Sequence, residues 1–312
     1  MGRSILVPTR SVFLVGFIYI WGDFTLELKQ PKTFNEQIEI LKRRGLVIKN
    51  EENATFILSN INYYRFTAYL LQFKDIDNTY KDNITFEHIN SLYMFDKELR
   101  TLLLDILGTI EISFRTYIAY TLAINHGTIG YLRKEIYIDK DFYNDFILNL
   151  EAEKRKNSKK LFIKHHMDNY EGKLPIWVAV EIMTFGMMSK LYSNMLPADK
   201  SFIKNNLCNL NVKILDTWLQ SLTHLRNQCA HYGRIYNYDL PIIKIKKEYK
   251  QYSIDNKKIF SYIIAIKHIC VNKEVWNRFF INLQDIINKY QEYIDLRCIG
   301  FPRNWLEILS KN

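Results

Sequence analysis

Residues 86–124 read FEHINSLYMFDKELRTLLLDILGTIEISFRTYIAYTLAI. Ile89, Leu92, Tyr93, Leu99, Leu103, Ile106, Ile110, Phe114 and Tyr117 fall at helical intervals along this stretch, as one face of an α-helix requires. The stretch holds one glycine, Gly108, and no proline, and Thr85 precedes it as a capping residue. The pattern predicts a single long helix, the spine of a helical bundle. Asp96 and Arg100 are four residues apart, as are Glu111 and Arg115. Both pairs read as surface ion pairs worth a few tenths of a kcal/mol. For Glu111 and Arg115 a second reading is that one of them faces a site on a later helix, which makes both candidate RNA contacts.

Composition agrees with an all-α fold. The 312 residues suffice for one large or two ordinary domains, and an apolar content of 48% supplies a full core. Only 11 glycines and 6 prolines are present, too few for a many-turned β-protein. The net charge of +10 favours a polyanionic partner, although lysine-rich chains also carry such a balance without one. Cys208, Cys229, Cys270 and Cys298 show neither CxxC pairing nor zinc spacing. They read as reduced, mostly buried thiols of a cytoplasmic protein.

Outward from the spine, Thr33 and Glu36 form a capping box for a helix over Pro31–Gly45. A second helix is expected over Glu51–Ser59, and a third from Asn62 to about Phe73. These short helices show no clear recognition face of a helix–turn–helix. Further helices are expected over Asp139–Asn157, from Pro175, over Met187–Met195 with Pro197 as its stop, over Asp255–Val271 and over Val275–Leu296. Ahead of them all, Arg3 and Arg10 precede an apolar run, Val12–Trp21, that resembles the start of a signal peptide. The run is short for a bilayer span, and no small-residue cleavage site follows it. Residues 1–25 therefore read as an extension that packs as an extra strand or helix, and no stable membrane association is expected. The division is an extension over 1–25, a small helical N-terminal subdomain over 26–84, and the main helical domain over 85–312.

The strongest functional signal lies in residues 211–237, NVKILDTWLQSLTHLRNQCAHYGRIYN. On a helical wheel Val212, Leu215, Trp218, Leu219, Leu222, Leu225 and Cys229 share one half. Arg226 falls among them, and an arginine on an apolar stripe is costly unless something anionic meets it. Asn227 follows at once and His231 five residues after the arginine. An arginine binds phosphate oxygens in a fork, and a histidine exchanges protons near neutral pH. Together they suit RNA transesterification, with no metal in the scheme. Arg226 and His231 lie roughly 140° apart around an ideal helix, so two copies related by a two-fold axis complete a site better than one. The alternative is a core arginine paired with Glu111 or Glu181, and a histidine that caps the helix C-terminus. His224 reads as an RNA contact or a plain surface residue. Lys154, Arg155, Lys156, Lys159 and Lys160 form the densest basic cluster, either a solvated helix end or a phosphate-binding patch.

Arg226–His231 has the R-x4-H form, with the polar residue directly after the arginine, of HEPN-domain ribonucleases. The chain also resembles the Abi-like abortive-infection family of the AbiD/AbiF type through FNEQIEILKRRG (34–45), NINYYRFTAYLL (60–71), FDKELRTLLLDILGTIEISFR (95–115), WVAVEIMTFGMMSKLY (177–192) and residues 222–236. The resemblance spans about residues 30–310, and nothing before about Leu26 has a counterpart in it. It implies an all-α HEPN-type bundle and an endoribonuclease of a toxin-like phage-defence system that cleaves single-stranded RNA without a metal or other cofactor, leaving a 2′,3′-cyclic phosphate. Arg226 and His231 are then the catalytic pair and Asn227 their polar helper. It implies dimerisation through the motif helices and, for some members, a small non-coding RNA as inhibitor. A non-catalytic RNA-binding or regulatory protein of the same fold, holding RNA through the arginine and the Lys154–Lys160 cluster, is the other reading.

Overall fold

A computed structural model describes residues 30–311, so the readings of the apolar run Val12–Trp21 and of the 1–25 extension lie outside the described residues. Three short helices come first: α1 (Phe34–Arg43), α2 (Glu51–Asn60) and α3 (Tyr63–Thr67). The spine is α4 (Phe86–His126). After it come α5 (Lys140–Lys156), α6 (Leu161–Asn169), α7 (Ile176–Ala179), α8 (Phe185–Asn194) and α9 (Pro197–Ile203). The chain closes with α10 (Val212–Ala230), α11 (Ile259–Ile269), α12 (Lys273–Tyr290) and α13 (Trp305–Ser310). Among the described residues the β-type pairings are isolated bridges only, such as Val47 with Thr85, so the fold is all-α.

Local chemistry sets the helix ends as the sequence predicts. In α1 the Thr33 hydroxyl accepts from the Glu36 N–H at 3.3 Å, and the Thr33 N–H donates to the Glu36 carboxylate at 2.8 Å, closing the capping box. Thr85 caps α4 by accepting from the His88 N–H at 3.0 Å. Gly127, at φ +83°, ends that helix in a conformation that disfavours other residues. The apolar stripe of α4 is buried as expected, with Ile89, Leu92, Leu99 and Leu103 wholly so. Each such side chain contributes roughly 1.5–3 kcal/mol by leaving water. Against this stripe pack α7, α8, α9, α10 and α12, and α10 also lies against α8 and α11. Ile38, Leu41, Leu58 and Phe66 join the same core from α1, α2 and α3.

Several expectations need correction. The helix expected over Asp255–Val271 begins only at Ile259, and the one expected over Val275–Leu296 ends at Tyr290, with a short 3-10 segment, Leu296–Ile299, after it. The third helix stops at Thr67, and the chain reaches Phe73 through turns and a short 3-10 segment, Leu71–Phe73. Pro197 does not merely stop α8: it opens α9 as its first residue, where its missing N–H costs nothing. Asp96 and Arg100 are not surface residues, with relative exposures of 0% and 3%. The turn after α3, through Tyr69, and the segment after α10 cover that side of the spine and bring donors to the Asp96 carboxylate.

Candidate functional site

The site grows out of the last turn of α10. Asn211 starts this helix, its side chain accepting from the Lys213 and Ile214 N–H groups at 3.0 and 3.4 Å. Leu215, Trp218, Leu219, Leu222, Leu225 and Cys229 bury one face. Trp218 anchors it further, donating its indole N–H to the Lys244 carbonyl at 2.6 Å. The rigid, buried part of the helix thus aims its final turn. There Arg226 is half-buried, whereas Asn227 and His231 are exposed.

Arg226 meets the anion that its position demands. Its Nη2 lies 3.2 Å from Glu111 Oε2, and its Nη1 donates to Asn227 Oδ1 at 3.1 Å. The other oxygen of Glu111 accepts from Arg115 Nη2 at 2.6 Å, and Arg115 also donates to the Val180 carbonyl. One buried carboxylate therefore holds two guanidiniums, leaving one net positive charge. Of the two acids expected as partners for Arg226, Glu111 fills the role and Glu181 stays exposed. The pairing fixes the arginine's direction and leaves part of its fork open to solvent, an arrangement able to receive a phosphate. Glu111 itself is an acceptor only when ionised, so it orients arginines and does not bind phosphate.

His231 is the C-cap residue, its N–H donating to the Asn227 carbonyl at 2.9 Å. Tyr232 then takes the left-handed conformation at φ +58°, and the Gly233 N–H returns to the Gln228 carbonyl at 2.8 Å. This is a Schellman closure with tyrosine where glycine is usual. One place later a Cβ on Gly233 would meet the Gln228 amide at 2.4 Å and displace it from the Arg234 carbonyl to which it donates. Cys229 lies inside the motif but offers no thiolate at neutral pH, since burial pushes its thiol up to about 12.

A buried carboxylate that the sequence reading took for half of a surface pair holds this turn in place. Asp96 Oδ1 accepts from the N–H groups of Ile235 and Tyr236 at 3.2 and 2.8 Å. Its Oδ2 accepts from the Tyr69 hydroxyl at 2.5 Å and from Arg100 Nη1. Burial pushes the Asp96 carboxyl up, opposed by Arg100, the Tyr69 hydroxyl and the two backbone donors. The same burial, with Asp96 beside it, pushes the Tyr69 phenol up, so that hydroxyl stays a donor. The only sequence signal for this hub is Asp96 lying four residues before Arg100, and Glu111–Arg115 carries the same signal.

The other candidate residues are not drawn into this group. In the basic cluster Lys154 is largely covered and pairs with Glu151 at 3.4 Å, and Lys156 pairs with Glu153 at 2.6 Å. Arg155, Lys159 and Lys160 are exposed at the end of α5 and the turn into α6. Among the described residues no hydrogen bond or ion pair joins this cluster to Arg226 or Glu111. His224 is exposed and makes no side-chain hydrogen bond there. Among the described residues no group of three or more His, Cys, Asp or Glu side chains is placed to hold a metal ion, and no helix is long and apolar enough to cross a membrane.

Comparison with known proteins gives one match. The family model described as Abi-like protein fits residues 56–237, a span that contains Tyr69, Asp96, Glu111, Arg115, Arg226 and His231. No curated protein and no solved structure matches the chain.

Proposed function

The chain belongs to the Abi-like protein family, and from that premise we propose that it is a HEPN-type endoribonuclease of abortive-infection phage defence, acting on single-stranded RNA. The family points to abortive infection, and the reaction is read from the site. The observation that carries the reading is the contrast along α10. One face of its body is buried, while its last turn presents a braced arginine and, five residues on, an exposed histidine.

In the proposed reaction the His231 imidazole takes the proton of a ribose 2′-hydroxyl. The 2′-oxygen attacks the adjacent phosphorus, and the 5′-oxygen of the next nucleotide leaves and gains a proton. The products are a 2′,3′-cyclic phosphate and a 5′-hydroxyl. Arg226 stabilises the charge that builds on the phosphate oxygens, and Glu111 with Arg115 keeps its guanidinium from swinging away. Asn227 holds the arginine from the other side. Two copies supply the arginine and the histidine to one phosphate more readily than one. Exposed apolar side chains on α4 and α7 are available for such a homodimer: Ile112, the residue after Glu111, and further along Tyr120, Ile124 and Trp177. A small non-coding RNA fits the role of inhibitor because it presents the same phosphates as the substrate.

A non-catalytic, RNA-holding role is favoured by one observation, the closed Arg226–Glu111 pair, which already partners the arginine. One experiment separates the two. Purified wild type and His231→Ala are incubated in EDTA with single-stranded RNA, and the new ends are identified. Cyclic-phosphate ends from the wild type, reduced roughly 100-fold or more in the variant, are expected. Equal cleavage by both proteins, or none by the wild type in the face of normal RNA binding, removes the catalytic reading.

A further inference from the structure

Beside His231 the chain walls a cavity of about 390 Å³ that no part of the reaction above uses. Its walls come from α3 and from the segment after the motif, chiefly Tyr64, Arg65, Tyr69, Tyr232 and Arg234. Two arginines cross between these segments. Arg65 Nη1 donates to the Tyr232 carbonyl, and Arg234 Nη1 donates to the Ala68 carbonyl. The Arg234 guanidinium also lies 5.9 Å from the centre of the Tyr69 ring, whose hydroxyl is fixed by Asp96. Tyr69 and its hydrogen bond therefore give the cavity a rigid wall.

Neither arginine has an acidic partner among the described residues, unlike Arg226. Each spends one N–H on a carbonyl, which leaves the rest of its fork for an anion. Two aromatic rings stand exposed at the same place, Tyr64 at 84% and Tyr232 at 69%. Tyr232 is the more telling. It occupies the left-handed region at φ +58°, where a non-glycine residue costs roughly 1–2 kcal/mol. Its ring is not buried, so packing offers little in return, and glycine would serve the backbone better. The tyrosine answers a need other than folding.

Uncompensated guanidiniums beside exposed aromatic rings match a base with its attached phosphate. Tyr232 is the residue directly after His231, so a base held there belongs to a nucleotide that flanks the phosphate under attack. We propose that this cavity is a base-binding subsite for single-stranded RNA: Tyr64 and Tyr232 stack an unpaired base, and Arg65 and Arg234 hold its phosphate. The proposal rests on the endoribonuclease reading for its place beside the scissile phosphate, but its binding step stands without cleavage.

The test measures binding of the full chain to a fluorescein-labelled single strand of 2′-O-methyl RNA, which has no free 2′-hydroxyl to attack. The same strand annealed to its complement is measured in parallel. Tyr64→Ala and Tyr232→Gly are each expected to weaken single-strand binding roughly 5- to 100-fold, the worth of one base–aromatic stack. Tyr64→Phe keeps the ring and should bind as the wild type does. Tyr232→Gly should melt no lower than the wild type, because glycine takes the left-handed conformation freely, and this separates loss of the ring from loss of the fold. The proposal is overturned if both ring-removing variants bind the single strand within about twofold of wild type, or if duplex binding falls in parallel. Loss of binding in these variants, with a wild type that cleaves nothing, would sink the catalytic reading and keep the subsite. Cleavage by the wild type, with both variants binding normally, would do the reverse.

Discussion

The spine helix carries two acid–arginine pairs with the same spacing, and the fold makes opposite uses of them. Asp96–Arg100 is sealed: the carboxylate is wholly buried and takes four donors, two of them backbone N–H groups from the segment just beyond His231. Glu111–Arg115 is open on one side, and its second oxygen holds Arg226, whose side chain keeps about a third of its exposure. The first pair fastens the end of the motif to the body, and the second aims the motif's arginine. The difference teaches that a charge on a helix gains its role from the donors that other segments bring, not from its spacing.

The comparison is broken most severely at Asp96. Asp96→Ala leaves Arg100 buried and unpaired and strands two backbone N–H groups, so a loss of roughly 3–5 kcal/mol in urea unfolding is expected. Glu111→Ala, at the open pair, should cost only about 1–2 kcal/mol, since Arg226 keeps a third of its exposure and Arg115 keeps its bond to the Val180 carbonyl. Equal losses would erase the distinction between the pairs.

Acid sharpens it next. Burial drives the His268 imidazole down to about 4, where it stacks on Trp218 of α10 and meets the Tyr249 hydroxyl at 2.8 Å. A histidine lowered in the fold binds its proton first in the unfolded chain. Stability is thus intact above about 6.5 and is lost as pH falls toward 4, by on the order of 3 kcal/mol. Asp96 shifts the other way, upward, so by linkage its protonation adds no loss of stability as pH falls. Thermal melts across this range should fall for the wild type and flatten in His268→Phe. An equally steep fall in that variant would place the acid sensitivity elsewhere.

The smallest effect lies between the pairs. Gly108 sits in the helix interior with nothing within 4 Å of where a Cβ would stand. Gly108→Ala should stabilise the protein by about 1 kcal/mol in the same unfolding measurement. A destabilised variant would show that the segment between the pairs needs the glycine's freedom.

Much of this was legible in the chain. The long spine, the capping box at Thr33, the cap at Thr85 and the buried face of α10 all follow from periodicity and neighbouring side chains, which act over a few residues. Arg226 stood out because it broke such a pattern, and Glu111 was one of two acids able to answer it. The burial of Asp96 was not legible, because its backbone donors arrive from 139 and 140 residues away. Nor was the left-handed turn at Tyr232, a conformation that glycine usually supplies at a helix end.

The sequence by itself determined an all-α chain and the last turn of α10 as the place to look, because hydrophobic period and helix caps are local properties. Only the tertiary structure decided which carboxylate became an anchor and which an aiming device. It also decided that Arg65 and Arg234, without an acidic partner among the described residues, would meet two exposed tyrosines beside His231. Burial and hydrogen-bond satisfaction depend on which distant segments arrive at a charge, and no local pattern records that.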